Sequence, residues 1–236
     1  LGDVYKRQAI TVGSEKIADD LDIPQEKRVY PLASSENNHM IGTLQRPKLY
    51  EQHGMQLAAK YIIDIYQKLK IEPNFYDLYS CFPVAVQMFA KSLKLEDIKD
   101  KTVTGAMPFA GGPLNSYVLH STAKLIEKLR ENSGVGIVTG VSGMMTKQSY
   151  ALWSKNPCID FTYEDCTKKA REVELPVKLS DQKSGSGIII GYTIHIRDDV
   201  NKAIMFVDTD DKRRKLITSS DRDITVSYTH LTLPTS

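Results

Sequence analysis

The amino-acid sequence predicts an α/β fold, a mixed sheet covered by helices, followed by a small all-β domain. In the first two-thirds of the chain, strand-like runs alternate with runs whose apolar residues recur at helical spacing. After Trp153, strand-like runs follow one another with short polar turns between them. Alternating strands and helices are typical of a sheet with helices on both faces, whereas successive strands indicate a separate β domain.

The first segments follow this alternation. Residues 9–23 are predicted as a strand end and a short helix that Pro24 stops. The run RVYPLAS at 28–34 is predicted as a strand, and residues 49–69 as a helix that faces the core. The apolar residues of that helix are Leu57, Ala58, Tyr61, Ile62, Ile65 and Leu69.

The next segments continue the pattern. Residues 74–82 (NFYDLYSCF) are predicted as a strand, and Pro83 occupies the first position of the following helix, where proline is favoured. A second strand-like piece, TVTGAMPF at 102–109, precedes a helix from Pro113 to Arg130. Residues 134–145 (GVGIVTGVSGMM) are predicted as a small-residue strand and turn.

The β domain is predicted to occupy residues 156–225, after a first domain at 9–155. It begins with a polar connection and a short helix ending near Val173. Four strand-like runs follow it, and they are VELPVKL, GIIIGYTIHI, KAIMFVDT and RRKLIT. Their number and length fit a small barrel of the OB-like type.

The two ends of the chain are predicted to be non-native. Codons can be chosen for residues 1–8 and 226–236 so that two DNA sequences match. The reverse complement of the DNA that encodes the first end contains the start of the DNA that encodes the second. This pattern is typical of translated sequencing-library adapters, which are excluded from fold reasoning. We therefore expect a partial open reading frame whose β domain is truncated.

Composition excludes several classes of function. Hydrophobic residues make up 41% of the chain, charged residues 25%, and the net charge is +2, so no basic surplus predicts nucleic-acid binding. No apolar run approaches the roughly 20 residues needed to span a membrane. Three cysteines without CxxC spacing indicate a reducing, cytoplasmic location, and no group of residues has metal-ligand spacing.

Cys81 is the candidate catalytic residue. A strand that ends at Cys81 just before a helix places the thiol near the positive end of the helix dipole, which lowers the pKa of a thiol. The alternative is a buried core cysteine, since free cysteine is among the most buried residue types. Both interpretations stay open.

The sequence AGGP predicts a close approach of backbone to a ligand. Gly111 and Gly112 carry no side chain, and a helix that begins at Pro113 offers unpaired N–H groups to an anion or an oxyanion. The alternative is a tight turn that needs a positive φ. The turn GVSG, from Gly140 to Gly143, is a further small-residue turn at a strand end.

Three stretches, taken together, carry a resemblance to a known family. They are YDLYSCFPVAVQ, GAMPFAGGPLNSYVLHST and GIVTGVSGMMTKQSYALWS. In this order they resemble the C-terminal half of the thiolase superfamily, in particular thiolase-like proteins with an additional C-terminal domain, often described as acetyl-CoA acetyltransferases. The resemblance covers most of residues 9–153 and implies a coenzyme A thioester as substrate or ligand, with no covalently bound cofactor.

The resemblance also assigns residues. Tyr79 stands where the family has the asparagine or histidine of its NEAF or HDCF motif, and Gly112 stands where the GHP motif has its histidine. The turn that carries a cysteine in many members falls near residues 139–143, which contain no cysteine. The residues that the resemblance implies in the thioester pocket are Tyr79, Ser80, Phe82, Gly111, Gly112, Pro113, Gly140 and Gly143.

Other polar residues are weaker candidates. Gln148 stands where relatives often have histidine, and the alternative is a plain loop glutamine. His120 is predicted to pack on a helix face, because it lies about 10 Å along the helix from Pro113 at 1.5 Å per residue. His39 is predicted to be polar surface, and His53 to be exposed.

Two functions follow from the resemblance. The first is a thiolase-like acyltransferase acting on acyl-CoA thioesters, as a homo-oligomer or a complex subunit. The alternative is a degenerate thiolase-like protein that binds acyl-CoA without condensing it. The glycine at position 112 favours the alternative, since losing an oxyanion-hole donor typically costs about 100- to 1,000-fold in rate.

Overall fold

The computed structural model describes residues 9–197 and 200–225. They divide into two units, one formed by residues up to Met40 with Tyr50–Glu174, the other by Ile41–Leu49 with the residues from Leu175 onward. The predicted adapter segments, 1–8 and 226–236, lie outside the described residues. Within the described ranges, every helix is too short or too polar to span a bilayer.

The first unit contains a five-stranded mixed sheet and six α-helices among its described residues. The strands are β1 (Tyr30–Asn37), β2 (Phe75–Asp77), β3 (Val135–Ser142), β4 (Met144–Ser154) and β5 (Thr162–Asp165). The helices are α1 (Glu15–Asp20), α2 (His53–Lys68), α3 (Pro83–Leu93), α4 (Met107–Ala110), α5 (Tyr117–Asn132) and α6 (Thr167–Val173). Pro83 begins α3 as predicted, and Lys94 ends it in the left-handed conformation.

The strand order in this sheet is β2-β3-β4-β1-β5. Strand β4 runs antiparallel to both of its neighbours, whereas β2 pairs parallel with β3 and β1 pairs parallel with β5. The other four strands therefore share one direction. Their carboxyl ends lie at the same edge of the sheet, together with the start of β4.

Helices cover both faces of the sheet. Ile137 packs into the core that contains the buried residues of α2 and α3, whereas the adjacent Val138 packs against Leu125 and Leu129 of α5. Successive side chains of a strand point to opposite faces. Helices α2 and α3 thus cover one face, and α5 covers the other, as predicted for a mixed sheet covered by helices.

Several element boundaries were predicted wrongly. The strand predicted at 74–82 ends at Asp77, because the Tyr79 N–H is bonded to the Thr139 side chain, 2.9 Å away, and no longer to a strand carbonyl. The strand predicted at 102–109 is a loop followed by α4. The helix predicted from Pro113 begins at Tyr117, after a 3₁₀ turn in which Leu114 has a φ of 51°.

Two strands were not predicted. Strand β4 forms the middle of the sheet, and β5 extends it beyond β1. At the other end of the unit, the strand predicted near residue 9 is irregular up to the start of α1.

The second unit contains a three-stranded antiparallel sheet, β6 (Gly187–Arg197), β7 (Val200–Thr209) and β8 (Arg214–Ser219). Arg214 is 2% exposed and donates hydrogen bonds to Asp208 and to the carbonyl oxygens of Leu44 and Arg46, so it ties 41–49 into this unit. The strand predicted at 173–179 is absent from the described structure, except for an isolated bridge between Leu179 and Arg214. The OB-like barrel stays a prediction.

The change from one unit to the other falls after Glu174, whereas the sequence predicted it at residue 156. The difference arises because β5 pairs with β1 and α6 packs against α2 and β1.

Candidate functional site

A cleft of about 390 Å³ opens at the carboxyl edge of the first unit's sheet. We call it the Tyr79 cleft, and its lining includes Glu36, Tyr79, Gly140, Gly143, Lys147 and Ser149. Ligands of α/β sheets are bound at the carboxyl ends of strands. The structure therefore brings together three of the predicted site residues, Tyr79, Gly140 and Gly143, at the edge where the fold favours a site.

Tyr79 presents a phenol without a hydrogen-bond partner among the described residues. Its ring packs edge-on against Tyr117, with the ring centroids 5.4 Å apart, and its backbone N–H is held by Thr139. Burial, and then the neighbouring Cys81, raise the pKa of Tyr79. The phenol therefore stays protonated near neutral pH and can donate a hydrogen bond into the cleft.

Ser80 belongs to a chain of hydroxyl groups that ends at the buried carboxylate of Asp77. The Thr104 hydroxyl donates to Asp77, the Tyr117 hydroxyl lies 3.0 Å from Thr104, and the Ser80 hydroxyl lies 3.3 Å from Tyr117. Because the carboxylate can only accept, each hydroxyl must donate toward it. The Ser80 oxygen also accepts the N–H of Met107. Ser80 therefore acts within the protein and has no proton left to donate to a ligand.

Asp77 was missed by the sequence analysis. It is 0% exposed and accepts five hydrogen bonds, from Ser121 and from the side chains or backbone of residues 102–104. These bonds fix the loop that leads to α4 and to the glycine pair. A carboxylate inside a strand gives no sequence signal for such a role, since its partners come from two distant segments.

Cys81 lies in a turn four residues beyond the end of β2. Burial raises the pKa of its thiol, although the backbone N–H groups of Phe82 and Cys81 act in the opposite direction. The expected lowering of the thiol pKa was therefore wrong, because loss of hydration at this half-buried position outweighs the hydrogen bonds from these N–H groups. Cys81 remains a predicted site residue without an activated thiol.

The remaining predicted residues lie outside the lining of the Tyr79 cleft. Phe82 is 64% exposed and precedes α3. Gly111 has a φ of 81° and ends α4, so the turn interpretation holds for this glycine. A Cβ added at Gly112 would have Met107 Sδ as its nearest neighbour at 4.0 Å, so the position is open. Pro113 precedes the 3₁₀ turn and does not begin α5.

Gly140 and Gly143 shape the base and rim of the cleft. A Cβ at Gly140 would lie 2.8 Å from Ser149 Oγ and 3.1 Å from Val118 Cγ2, so a larger residue would fill this space. Gly143 makes the turn between β3 and β4 with a φ of 69°. A Cβ there would meet no atom within 4 Å, so conformation alone favours glycine at this position.

Gln148 lies on β4 and is 2% exposed, so the interpretation as a loop residue was wrong. Its amide oxygen accepts from Asn37, and its amide nitrogen donates to Gln52 and to the Met145 carbonyl. Asn37 in turn donates to the Thr146 carbonyl and accepts the N–H of His39. Protein groups thus satisfy the whole Gln148 amide, and it holds the start of β4 in place.

The histidines lie apart from the cleft lining. His39 was expected at the surface but is 9% exposed, with Nε2 2.8 Å from the Glu174 carbonyl, because α6 covers this loop. His120 is buried on α5 with its ring near Tyr117, as predicted for a packed histidine. His53 is exposed, as expected. Among the described residues, no group of three or more acidic, cysteine or histidine side chains could hold a metal ion.

The three thiols are expected to differ in their rates of alkylation by iodoacetamide. Cys158 is exposed and should react first, and Cys81 should react slowly because its raised pKa keeps it a thiol. Burial raises the pKa of Cys166 to about 11, so this residue should react last. Between pH 7 and 8 the rate at Cys81 should rise about 10-fold, as the thiolate fraction does below the pKa.

Peptide mass spectrometry of the native protein measures these rates, with Cys81→Ser as the control for peptide assignment. If the rate at Cys81 were already maximal at pH 6, the pKa of this thiol would be lowered, as the sequence predicted, and not raised.

The chain has a thiolase-like fold. The crystal structure of a monomeric SCP2-thiolase like protein type 1 from Mycobacterium smegmatis matches it with a TM-score of 0.75 and 24% sequence identity. The match covers 89% of this chain and 47% of the other, so the chain spans about half the length of that protein. No family model matches the chain, and no curated protein does.

Proposed function

We propose that this chain forms part of a site for an acyl-CoA thioester in a thiolase-like acyltransferase. The observation that carries the proposal is the unpartnered phenol of Tyr79 in a cleft at the carboxyl edge of the sheet. A thioester carbonyl placed in the cleft would accept a hydrogen bond from this phenol. A fixed donor of this kind stabilises the oxyanion that develops during acyl transfer.

The nucleophile of such a reaction is expected from outside the described residues. Cys81 is half-buried with a raised pKa and is a poor nucleophile at neutral pH. The open position at Gly112 has no donor side chain, and the histidines of the described segments lie elsewhere. These observations favour a second candidate function, binding of acyl-CoA without condensation.

Tyr79→Phe is expected to weaken acetyl-CoA binding about 2- to 10-fold, as loss of one neutral hydrogen bond does. The ring and its contact with Tyr117 stay in place. Isothermal titration calorimetry of the whole chain measures the effect. Tyr61→Phe is a matched control, because Tyr61 packs on α2 at the opposite face of the sheet. Failure of the unaltered chain to bind acetyl-CoA would refute both functions.

Thiolysis of acetoacetyl-CoA tests whether the chain itself transfers acyl groups. We expect no turnover by this chain alone, because it lacks an activated thiol among its described residues. Measurable turnover would exclude the interpretation as a binding module. If the chain does turn over, Gly112→His tests whether a donor restored at this open position raises the rate.

A further inference from the structure

A second cavity continues the Tyr79 cleft across the sheet. It has a volume of about 200 Å³ and shares Glu36, Val118 and Ser149 with the cleft. We call it the Tyr163 cavity, since Tyr163 of β5 lines its far side. The two cavities together form a groove from Tyr79, beyond the end of β2, to Tyr163 on β5, on the face that α5 covers.

The base of this groove is made of small residues on neighbouring strands. Ser34 on β1 lies opposite Ala151 on β4, and Glu36 lies opposite Ser149. The hydroxyl groups of Ser34 and Ser149 have no hydrogen-bond partner within the described part of the chain. They can donate to carbonyl groups of a ligand that lies along the groove.

Glu36 is the acidic residue common to both cavities. The Tyr163 hydroxyl donates to its Oε1 atom at 2.7 Å, which orients the carboxylate. This hydrogen bond is the main reason that the pKa of Tyr163 is raised to about 12, so Tyr163 stays a donor at neutral pH. The other carboxylate oxygen has no partner among the residues described. It is an acceptor that is open to the N–H or O–H group of a ligand.

We infer that Glu36 binds an amide N–H of the pantetheine arm of the thioester, an inference that rests on the proposed function. The arm is a neutral chain with two secondary amides, each of which has one donor and one acceptor. Glu36 accepts from an amide N–H, while Ser34 and Ser149 donate to amide carbonyls. Glu36 is thus a specificity-determining residue that selects a neutral amide chain and disfavours an anionic group.

The test compares two thioester probes on the unaltered chain and on variants. S-acetyl-pantetheine carries both amides, whereas S-ethyl thioacetate carries none. Glu36→Gln replaces the charged acceptor by a neutral one at nearly constant shape and should weaken S-acetyl-pantetheine binding about 5- to 10-fold, the difference between a hydrogen bond to a charged group and one to a neutral group. Binding of S-ethyl thioacetate should be unchanged. Tyr163→Phe should have a smaller effect, because the carboxylate remains.

Glu164→Gln is the matched control, since Glu164 lies on β5 next to Tyr163 and is paired with Lys169 outside both cavities. Calorimetry measures affinity, and circular dichroism confirms that each variant is folded. Unchanged binding of S-acetyl-pantetheine by Glu36→Gln would overturn the inference while leaving the proposed function in place. Failure of the unaltered chain to bind either probe or acetyl-CoA would overturn both.

Discussion

Replacing Asp77 by alanine is expected to lower the free energy of unfolding by at least about 3 kcal/mol, because each buried donor left without an acceptor costs about 1–3 kcal/mol. Five donors point at this carboxylate, and its side chain is 0% exposed. Water cannot enter without opening the loop at 102–106. Urea denaturation measures the loss, followed by the fluorescence of Trp153, the one tryptophan of the chain.

Two further variants test the cause. Asp77→Asn keeps the shape and one acceptor oxygen, so its effect should be smaller than that of alanine but still clear. Asp64→Ala is the surface control, since Asp64 forms an exposed pair with Lys60 within α2 and should change stability by less than about 0.5 kcal/mol. Equal effects of Asp77→Ala and Asp64→Ala would contradict the anchoring role of Asp77.

Most of the first unit could be predicted where apolar spacing is regular. Helix α2 has a continuous buried face, and Pro83 marks the start of α3, so both were predicted from local signals. Strand β4 was missed because its buried positions are Thr146, Gln148, Tyr150, Leu152 and Ser154. Three of these five are polar, so the apolar alternation that indicates a strand is absent.

The candidate site could be predicted only in part. Tyr79 follows β2, Gly140 lies near the end of β3 and Gly143 follows β3, and they lie in the cleft because the carboxyl ends of these strands meet at one edge. Glu36 could not be predicted, since its role depends on β5, a strand that polar composition concealed. The boundary of α5 was wrong because Leu114 takes a left-handed conformation that sequence gives no reason to expect.

Gly54 is expected to be essential for the position of Asn37. A Cβ at Gly54 would lie 2.2 Å from Asn37 Nδ2, and the Asn37 side chain cannot move without breaking bonds to Thr146, Gln148 and His39. Gly54→Ala should therefore lower the free energy of unfolding by about 1–3 kcal/mol, the usual cost of overpacking. Helix propensity alone would favour alanine by about 1 kcal/mol.

A double-mutant cycle with Asn37→Ala isolates this contact. Once the Asn37 amide is removed, the clash disappears and Gly54→Ala should become stabilising, by up to about 1 kcal/mol from helix propensity. The sign of the effect of Gly54→Ala therefore reverses between the two backgrounds. Urea denaturation followed by Trp153 fluorescence measures all four proteins. An equal loss in both backgrounds would show that Gly54 is required by a neighbour other than Asn37.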